Sequence, residues 1–395
     1  MYERSYLTDK LLKVKDNGKV KVVFGVRRAG KSTLLMLYQK KLLQQGIDKG
    51  QILHINLDKL GPSGKTAGEI LAEIEAKRDK ERMAYIFLDE VQKVRNYIDL
   101  IMACHELPRT DLYLCGSSFD LFSMEVTKAL AGKVSYIPVM GMSYREYCME
   151  VCKEPASDKL LAAYRKACGF PHVIGLEDNA RIRQEIEYIF IAILVQDFSV
   201  RKKHPDVYTM QNIIYFMLNY VGEFISIKEL TAHYSENNKA ISARTMANYI
   251  NTLRDCFMIA YLEVFDLSHP ERKALGGKYY IGDMAGYMFR DLDEKKPQVC
   301  MENIVLLELV RRGYRTYMGR IKGKIIDFYG KNAEGRRCFL QVIADADEKE
   351  CKRKVEVLKL LGEEADCRLL SVKPKADSLM GIPWLSVKDW LMGET

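Results

Sequence analysis

The length, composition and charge of the chain limit the class of protein to which it can belong. The chain has 395 residues, of which 48% are hydrophobic and 29% are charged. This balance is typical of a soluble globular protein with two or three domains. The formal net charge of +8 permits a nucleic-acid partner without requiring one. The sequence is therefore not that of a disordered or fibrous protein.

Three further features predict a cytoplasmic protein. The ten cysteines show no paired framework, so we expect reduced thiols rather than disulfides. The longest apolar run, residues 188–195, is too short to span a bilayer. The first residues lack the apolar stretch of a signal peptide. We therefore expect no membrane partner.

The first predicted elements are a strand, a glycine-containing loop and a helix. Residues 20–24 form an apolar β-branched run, and residues 33–43 show a helical pattern. Between them, Gly25-Val26-Arg27-Arg28-Ala29-Gly30-Lys31-Ser32 fits G-x-x-x-x-G-K-[ST], the phosphate-binding P-loop. The glycines let backbone N–H groups face the phosphates, and the helix adds its positive dipole end. A chance glycine-rich turn is the alternative, which the flanking strand and helix disfavour.

This motif predicts that ATP and Mg²⁺ are the cofactors. Lys31 would reach the β- and γ-phosphates and serve catalysis, and the Ser32 hydroxyl would bind Mg²⁺. The other predicted nucleotide-binding residues belong to the loop and the start of the helix: Gly25, Arg27, Arg28, Ala29, Gly30 and Thr33.

Four more apolar runs alternate with helical stretches as far as residue 139. Their continuous apolar character suits parallel strands that are buried on both faces. The alternation predicts an α/β domain in three layers, with ligands beyond the carboxyl ends of the strands. The runs are residues 52–57, 85–88, 112–115 and 134–139.

Polar side chains follow two of these predicted strands. After residues 85–88, Asp89 would hold Mg²⁺, and Glu90 would polarise the attacking water as general base. The alternative is an ordinary acidic pair at a strand end. After residues 112–115 comes Gly116-Ser117-Ser118, in which Ser117 or Ser118 is a candidate for positioning the water. An ordinary Gly-Ser turn is the alternative there.

These motifs resemble those of a large prokaryotic family. Together with Met142-Ser143-Tyr144-Arg145-Glu146-Tyr147 and Gly169-Phe170-Pro171, they are similar to proteins that pair an AAA+-like ATPase domain with a DUF4143 C-terminal region. The resemblance covers nearly the whole chain and implies an ATPase domain over residues 1–178.

Two positions depart from the family pattern. Relatives carry Gly-Ser-Asn at the sensor turn, where Ser118 takes the asparagine place here, and Gly-Arg where Gly132-Lys133 stands. An arginine near this position can act on a neighbouring subunit's nucleotide in AAA+ proteins, and Lys133 lacks its bidentate fork. We therefore expect slow or partner-triggered hydrolysis, and the oligomeric state stays open.

Residues 179–296 are predicted to form a helical, winged-helix domain. Ser226 is a predicted N-cap of one helix, and a second helix runs from residue 241 to about residue 256. Met246, Ile250 and Leu253 form the apolar stripe of this second helix. Residues 258–265 and 278–281 are predicted to be the strands of the wing.

The opposite face of the second helix is a candidate DNA-binding surface. Arg244, Asn248 and Asn251 lie on it, and arginine and asparagine are suited to reading base edges in the major groove. The alternative is a protein-interaction or lid module whose polar face is simply solvated.

Residues 297–395 are predicted to form an α/β domain. Helical patterns at 301–313 and 350–361 enclose strand-like runs at 316–318, 325–329 and 338–343. This order, with Glu302, Asp327 and Gln341, resembles the PD-(D/E)XK nuclease fold. Such a site requires two metal-binding acids and a lysine, but Gln341 replaces an acid and Ile343 stands at the lysine position. We therefore expect a vestigial nuclease site without hydrolysis, while metal binding by Glu302 and Asp327 stays open.

The leading functional hypothesis is an ATP-binding AAA+-like ATPase. In this hypothesis the nucleotide state repositions the winged-helix and nuclease-like modules, with DNA as a candidate partner. A DNA-processing nuclease and a non-catalytic ATP switch that recruits a protein partner are the two alternatives.

Overall fold

The computed structural model describes residues 2–60, 65–117, 124–167, 169–193, 207–238, 240–271, 276–283, 295–345 and 347–393. The chain forms two compact units, Met1–Met140 and Gly141–Thr395. Among the described residues, no helix combines the length and the apolar character needed to cross a bilayer.

The first unit is an α/β structure built around one parallel sheet. Its five strands lie in the order β2-β3-β4-β1-β5, and every neighbouring pair is parallel. The predicted parallel α/β sheet is therefore confirmed. In chain order the elements are α1 (Ser5–Lys13), β1 (Val20–Gly25), α2 (Lys31–Gln44), β2 (Ile52–Asn56), α3 (Ala67–Lys77), β3 (Ala84–Asp89), α4 (Tyr97–Glu106), β4 (Thr110–Ser117), α5 (Met124–Ala129) and β5 (Val134–Pro138).

The strand order brings three strand ends together at one edge of this sheet. All six residues of β3 are buried, because helices cover both faces of a parallel sheet. Strand β4 lies between β1 and β3, with Ser117 in register with Gly25 and Cys115 in register with Asp89. The P-loop and the acidic pair therefore emerge on either side of the end of β4.

The second unit contains one eight-stranded sheet and a set of helices. The strand order is β12-β13-β11-β10-β9-β8-β6-β7. Its elements are α6 (Tyr144–Glu146), α7 (Asp158–Lys166), α8 (Asn179–Ile193), α9 (Val207–Met217), α10 (Ile227–Asn237), α11 (Ala243–Asp255), β6 (Ile259–Asp266), β7 (Gly277–Ile281), α12 (Pro297–Arg311), β8 (Arg315–Ile321), β9 (Lys324–Lys331), β10 (Arg337–Ile343), α13 (Glu348–Lys359), β11 (Cys367–Ser371), β12 (Ser378–Leu379), β13 (Ile382–Ser386) and α14 (Val387–Met392).

The helices α10 and α11 begin where the sequence predicts. Ser226 accepts a hydrogen bond from the Glu229 N–H and forms a capping box, and Ser242 accepts a hydrogen bond from the Thr245 N–H at the start of α11. Met246, Ile250 and Leu253 are buried, as their spacing predicts. The assignment of residues 179–296 as a winged-helix domain stays a prediction.

The predicted wing strands and the C-terminal strands belong to one sheet. Strand β6 pairs with β7 in an antiparallel hairpin, and it also pairs in parallel with β8 through Val264 and Met318. The sheet is thus continuous across residues 296 and 297, where the sequence suggests a domain boundary.

Residues 141–178 fold with the second unit, although the sequence groups them with the ATPase domain. Arg311 donates a hydrogen bond to the Gly141 carbonyl oxygen at 3.1 Å. The Gly169 N–H donates to Asp283 at 3.1 Å, and the Tyr164 hydroxyl donates to the Met142 carbonyl oxygen. The first two contacts join residues 141–178 to later parts of the second unit, and the domain boundary at residue 178 stays a prediction.

Candidate nucleotide-binding site

The P-loop backbone depends on a glycine at the end of β1. Gly25 has a φ of +147°, and a Cβ atom there would collide with the Val139 carbonyl oxygen. Gly30, with a φ of +91°, is the N-cap of α2. A larger residue at position 25 would displace either the loop or the chain after β5. The sequence motif therefore has a specific packing reason in this structure.

The Lys31 side chain folds back to contact the backbone of the P-loop. Lys31 is the first residue of α2, and its side chain is buried. Its ammonium donates to the Gly25 and Val26 carbonyl oxygens at 3.0 and 3.1 Å. The first turn of α2 adds N–H groups that have no acceptor within the helix. The loop thus gathers positive charge and amide donors suited to phosphates.

The acidic pair lies at the end of β3. Asp89 is 1% exposed, and within the described residues its Oδ1 atom has no hydrogen-bond partner. A buried carboxylate oxygen without a partner is energetically costly unless a cation neutralises it. Asp89 and the Ser32 hydroxyl supply oxygen atoms, the ligands that Mg²⁺ prefers. These residues fit a magnesium ion.

Glu90 is oriented by its backbone and by a neighbouring amide. Its φ is +58°, and its N–H donates to the Cys115 carbonyl oxygen at 2.7 Å. The Gln92 side chain donates to Glu90 Oε2 at 2.7 Å. Burial raises the pKa of the Glu90 carboxyl above its usual value, and the charges of Lys31 and Arg27 oppose that increase. A raised pKa makes this carboxylate a stronger base. The role of Gln92 was missed from the sequence, although it stands only two residues beyond Glu90.

Ser118 and Lys133 are the two positions at which the sequence departs from the family pattern. Ser118 lies outside the described residues, so its predicted role stays a prediction; the preceding residue, Ser117, ends β4 between β1 and β3. Lys133 accepts a hydrogen bond from the Val20 N–H through its carbonyl oxygen at 2.8 Å. It therefore lies at the amino edge of the sheet, one strand length or about 15 Å from the P-loop of its own chain.

The predicted vestigial nuclease residues are buried and hydrogen-bonded. Glu302 accepts hydrogen bonds from Tyr280 at 2.6 Å and Gln298 at 2.9 Å. Gln341 donates to the Ile325 carbonyl oxygen at 3.0 Å and accepts from the Asp327 N–H at 3.3 Å. In the part of the chain that the structure describes, no group of three or more His, Cys, Asp or Glu residues is arranged to hold a metal.

A lysine near this cluster was missed from the sequence. Lys354 of α13 forms a buried ion pair with Asp327 at 2.6 Å. Burial alone would lower the pKa of its ammonium, but the charges of Asp327 and Glu302 outweigh burial and raise that pKa. The sequence did contain a signal for a buried, paired lysine. Lys354 lies on the apolar, buried face of α13 together with Cys351 and Leu358.

The predicted DNA-binding residues share one exposed face of α11. Arg244, Asn248 and Asn251 are all exposed, on the side opposite the buried stripe of the helix. The structure therefore groups these residues as the helical spacing predicts, and their contact with DNA stays a prediction.

The fold and the site together define the class of protein. A parallel sheet in this order, with a P-loop after β1 and an acidic pair after β3, is that of a AAA+-like P-loop ATPase. A family model described as an AAA domain matches residues 17–148. The resemblance of the C-terminal region to DUF4143 stays a prediction.

Similar proteins are found in bacteria and archaea. An uncharacterised protein of Haemophilus influenzae is 28% identical over 341 residues, with 85% of each chain covered. An uncharacterised protein of Methanocaldococcus jannaschii is 25% identical over 364 residues, which cover 86% of this chain and 77% of the relative. A Walker-type ATPase of Pyrococcus abyssi has a TM-score of 0.50 at 15% identity, covering 73% of this chain and 96% of that structure. This last likeness is one of fold.

Proposed function

We propose that the protein binds ATP with Mg²⁺ at the P-loop and hydrolyses it slowly, or rapidly when a partner triggers it. One observation carries the proposal: the buried Asp89 Oδ1 without a hydrogen-bond partner in the described chain. This atom lies at the same sheet edge as the P-loop. A cation at that position would balance its charge.

The side chains divide the chemical work of hydrolysis. The Lys31 ammonium and the α2 amides would hold the β- and γ-phosphates, while Asp89 and Ser32 would hold Mg²⁺. The bound ion would neutralise charge that develops on the phosphoryl oxygens. Glu90 would accept a proton from the attacking water. The water oxygen would bond to the γ-phosphorus while the bond between that phosphorus and ADP breaks. Gln92 keeps the Glu90 carboxylate in place.

The position of Lys133 supports slow turnover by a single chain. It lies at the sheet edge opposite the P-loop, so its charge would assist only at another subunit's nucleotide. A transition-state arginine of this kind contributes about 10³- to 10⁵-fold in related phosphoryl transfers. A second subunit or another partner would therefore be needed for rapid hydrolysis.

Two arginines support a link between the nucleotide and the second unit. Arg4 donates to the carbonyl oxygens of Ala29, in the P-loop, and Met140, both at 3.1 Å. Met140 is the last residue of the first unit, and Gly141, the first of the second, accepts from Arg311. We propose that a shift of the P-loop on nucleotide binding moves Met140 through Arg4 and so acts on the second unit.

DNA is the proposed partner of the second unit. The exposed face formed by Arg244, Asn248 and Asn251 supports this proposal, as does the net charge of +8. The alternative, an ATP switch for a protein partner, predicts binding that responds much less to salt.

The nucleotide proposal is tested with three single variants. Lys31→Ala should abolish ATP binding in an equilibrium titration, and Glu90→Gln should keep binding but stop phosphate release. The matched control is Lys40→Ala, which removes an exposed lysine from the same helix α2. Equal ATP affinity in the wild type and the Lys31 variant would refute the proposal.

A further inference from the structure

Three cations lie side by side across three strands of the second unit. Arg315 of β8 is the register partner of Lys331 of β9, and Lys331 is also the partner of Arg337 of β10. Direct partners on antiparallel strands present their side chains on the same face, about 5 Å apart. All three residues are exposed.

These cations lack carboxylate partners in the described part of the chain. None of the three forms an ion pair there, and two nearby carboxylates are already engaged: Glu334 by Arg336 and Asp366 by Arg368. Like charges directly opposite one another destabilise a sheet. The Arg315 guanidinium lies 5.3 Å from the Tyr317 ring centroid, but this contact leaves the positive charge of the row unneutralised, so an anionic ligand would stabilise the row.

A row of aromatic rings runs beside the cations. Tyr317, Tyr329 and Phe339 are register partners on the same three strands, two residues along from the cations and thus on the same face. Their ring centroids are 5.9 and 5.1 Å apart, with interplanar angles of 25° and 12°. Phe265 of β6 extends the row, 5.3 Å from Tyr317. Tyr329 and Phe339 are buried, whereas Phe265 and Tyr317 are half-buried.

All three cations and every ring of the aromatic row except Phe339 line one cavity of about 730 Å³. Phe265 and Tyr317 form part of its apolar wall, and Arg315, Lys331 and Arg337 lie on the same cavity. An apolar aromatic wall beside unpaired cations suits a ligand with a flat ring and a phosphate. Nucleobases stack on such rings, and phosphates bind arginine and lysine.

The extent of the positive charge favours a chain of nucleotides over a single one. Three cations on adjacent strands span about 10 Å, more than one phosphate group requires. Arg337 also lines a second cavity of about 370 Å³, together with Arg312, Arg336 and Arg368. Those three arginines are paired with Glu308, Glu334 and Asp366, so the unneutralised charge of the row ends at Arg337.

We propose that this aromatic and cationic face binds single-stranded nucleic acid. One base would stack against Tyr317 and Phe265, and successive phosphates would lie along Arg315, Lys331 and Arg337. This site is separate from the P-loop and from the α11 face, and it requires neither ATP binding nor hydrolysis.

The experiment measures binding of a fluorescent 12-nucleotide single strand to the full chain by anisotropy, without ATP and at several salt concentrations. The triple variant Arg315→Gln/Lys331→Gln/Arg337→Gln should bind at least about tenfold more weakly, with a salt slope smaller by about 2. Tyr317→Leu keeps an apolar side chain but removes the ring, and it should weaken binding about tenfold. The matched control, Lys349→Gln/Lys352→Gln/Arg353→Gln, removes the same charge from α13 and should change affinity less than about threefold.

Two further measurements keep the result interpretable. The triple variant of the row should melt no lower than the wild type, because the substitutions relieve like-charge repulsion; lost binding then cannot come from unfolding. The Lys31→Ala variant should bind the single strand as the wild type does, which separates this proposal from that of ATP binding. The proposal is overturned if the α13 control weakens single-strand binding equally, if the triple variant of the row weakens binding of a duplex of the same sequence as much as binding of the single strand, or if AMP competes as well as the single strand.

Discussion

The Lys354 ammonium lies 2.6 Å from Asp327 Oδ2 and 2.8 Å from the Val342 carbonyl oxygen. Both charged side chains are nearly buried, at 9% and 11% exposure. The lysine position of the nuclease pattern, on strand β10, holds Ile343. Helix α13 instead supplies a lysine, Lys354, to the cluster of Glu302, Asp327 and Gln341. The Asp327 carboxylate is already neutralised by this ammonium, and the Val342 N–H donates to the same oxygen at 2.8 Å.

Removing the lysine alone is expected to destabilise the second unit. Lys354→Met leaves the nearly buried Asp327 carboxylate without its cation, and we expect a loss of about 3–5 kcal/mol in the free energy of unfolding. Adding Asp327→Asn should restore part of the lost free energy of unfolding, because the double variant no longer has an uncompensated charge. Urea unfolding measures both values. A loss below about 1 kcal/mol in the single variant would contradict a buried, structural ion pair.

The same ion pair leads us to expect no nuclease activity. Wild-type protein should leave single- and double-stranded DNA intact with Mg²⁺ or Mn²⁺, as followed by gel electrophoresis. Cleavage that disappears in Asp327→Ala but persists in Lys31→Ala would establish the nuclease alternative instead.

Turnover of ATP is expected to depend on the protonation of Glu90. Burial raises the pKa of this carboxyl above 4.5, and only the deprotonated form accepts a proton. The hydrolysis rate should therefore fall as the pH falls through that raised pKa. A pH–rate profile measured under saturating ATP tests this expectation, and a flat profile down to pH 4.5 would count against Glu90 as the base.

The stability of the first unit should change with pH in the opposite direction. An acid with a raised pKa in the folded state favours folding when protonated, so this contribution is lost as the pH rises from 4.5 through the folded pKa. Glu90→Gln should accordingly raise the melting temperature at neutral pH while abolishing turnover. An unchanged melting temperature would show that Glu90 is not destabilised by burial.

Replacing the first P-loop glycine should damage the nucleotide site more than an ordinary glycine substitution. In Gly25→Ala the new Cβ meets the Val139 carbonyl oxygen, so we expect lost ATP binding and destabilisation of more than about 2 kcal/mol. Gly46→Ala is the control, since Gly46 also has a positive φ but no atom within 4 Å of an added Cβ; it should cost about 1 kcal/mol. Equal effects in calorimetry would refute the collision.

Breaking the Arg4 contacts should weaken nucleotide binding and uncouple the second unit. Arg4→Gln removes charge-assisted hydrogen bonds to Ala29 and Met140, and we expect about tenfold weaker ATP binding. Hydrogen exchange of residues 141–175 should respond to ATP in the wild type and in the control Lys13→Gln, an exposed change on α1, but not in Arg4→Gln. The same ATP response in all three proteins would refute the proposed link.

The face of α11 is expected to bind duplex DNA. Arg244→Ala/Asn248→Ala/Asn251→Ala should reduce affinity for a duplex about tenfold or more, with little effect on stability because all three side chains are exposed. Anisotropy at several salt concentrations measures the effect, with the α13 triple variant as the control. Unchanged duplex affinity would favour the alternative of a protein partner.

Much of the first unit could be predicted from the sequence because its signals are local. The P-loop is a contiguous motif between a strand and a helix, and Asp89 and Glu90 directly follow the buried strand β3. Parallel strands end at the same sheet edge, so adjacency in the sequence is enough to place these residues near one another. The predicted capping position of Ser226 in the second unit is local in the same sense.

Only the tertiary structure decided which distant residues meet. Hydrophobic periodicity assigns strands, but it does not state the register that sets Arg315 beside Lys331 and Arg337. Nor does it show that Lys354 neutralises Asp327, which lies 27 residues earlier in the chain. Such pairs arise when separate elements pack together. The sequence by itself therefore determined the phosphate-binding loop and its acidic partners. Packing decided the pairing of Lys354 with Asp327 and the proposed aromatic and cationic face of the second unit.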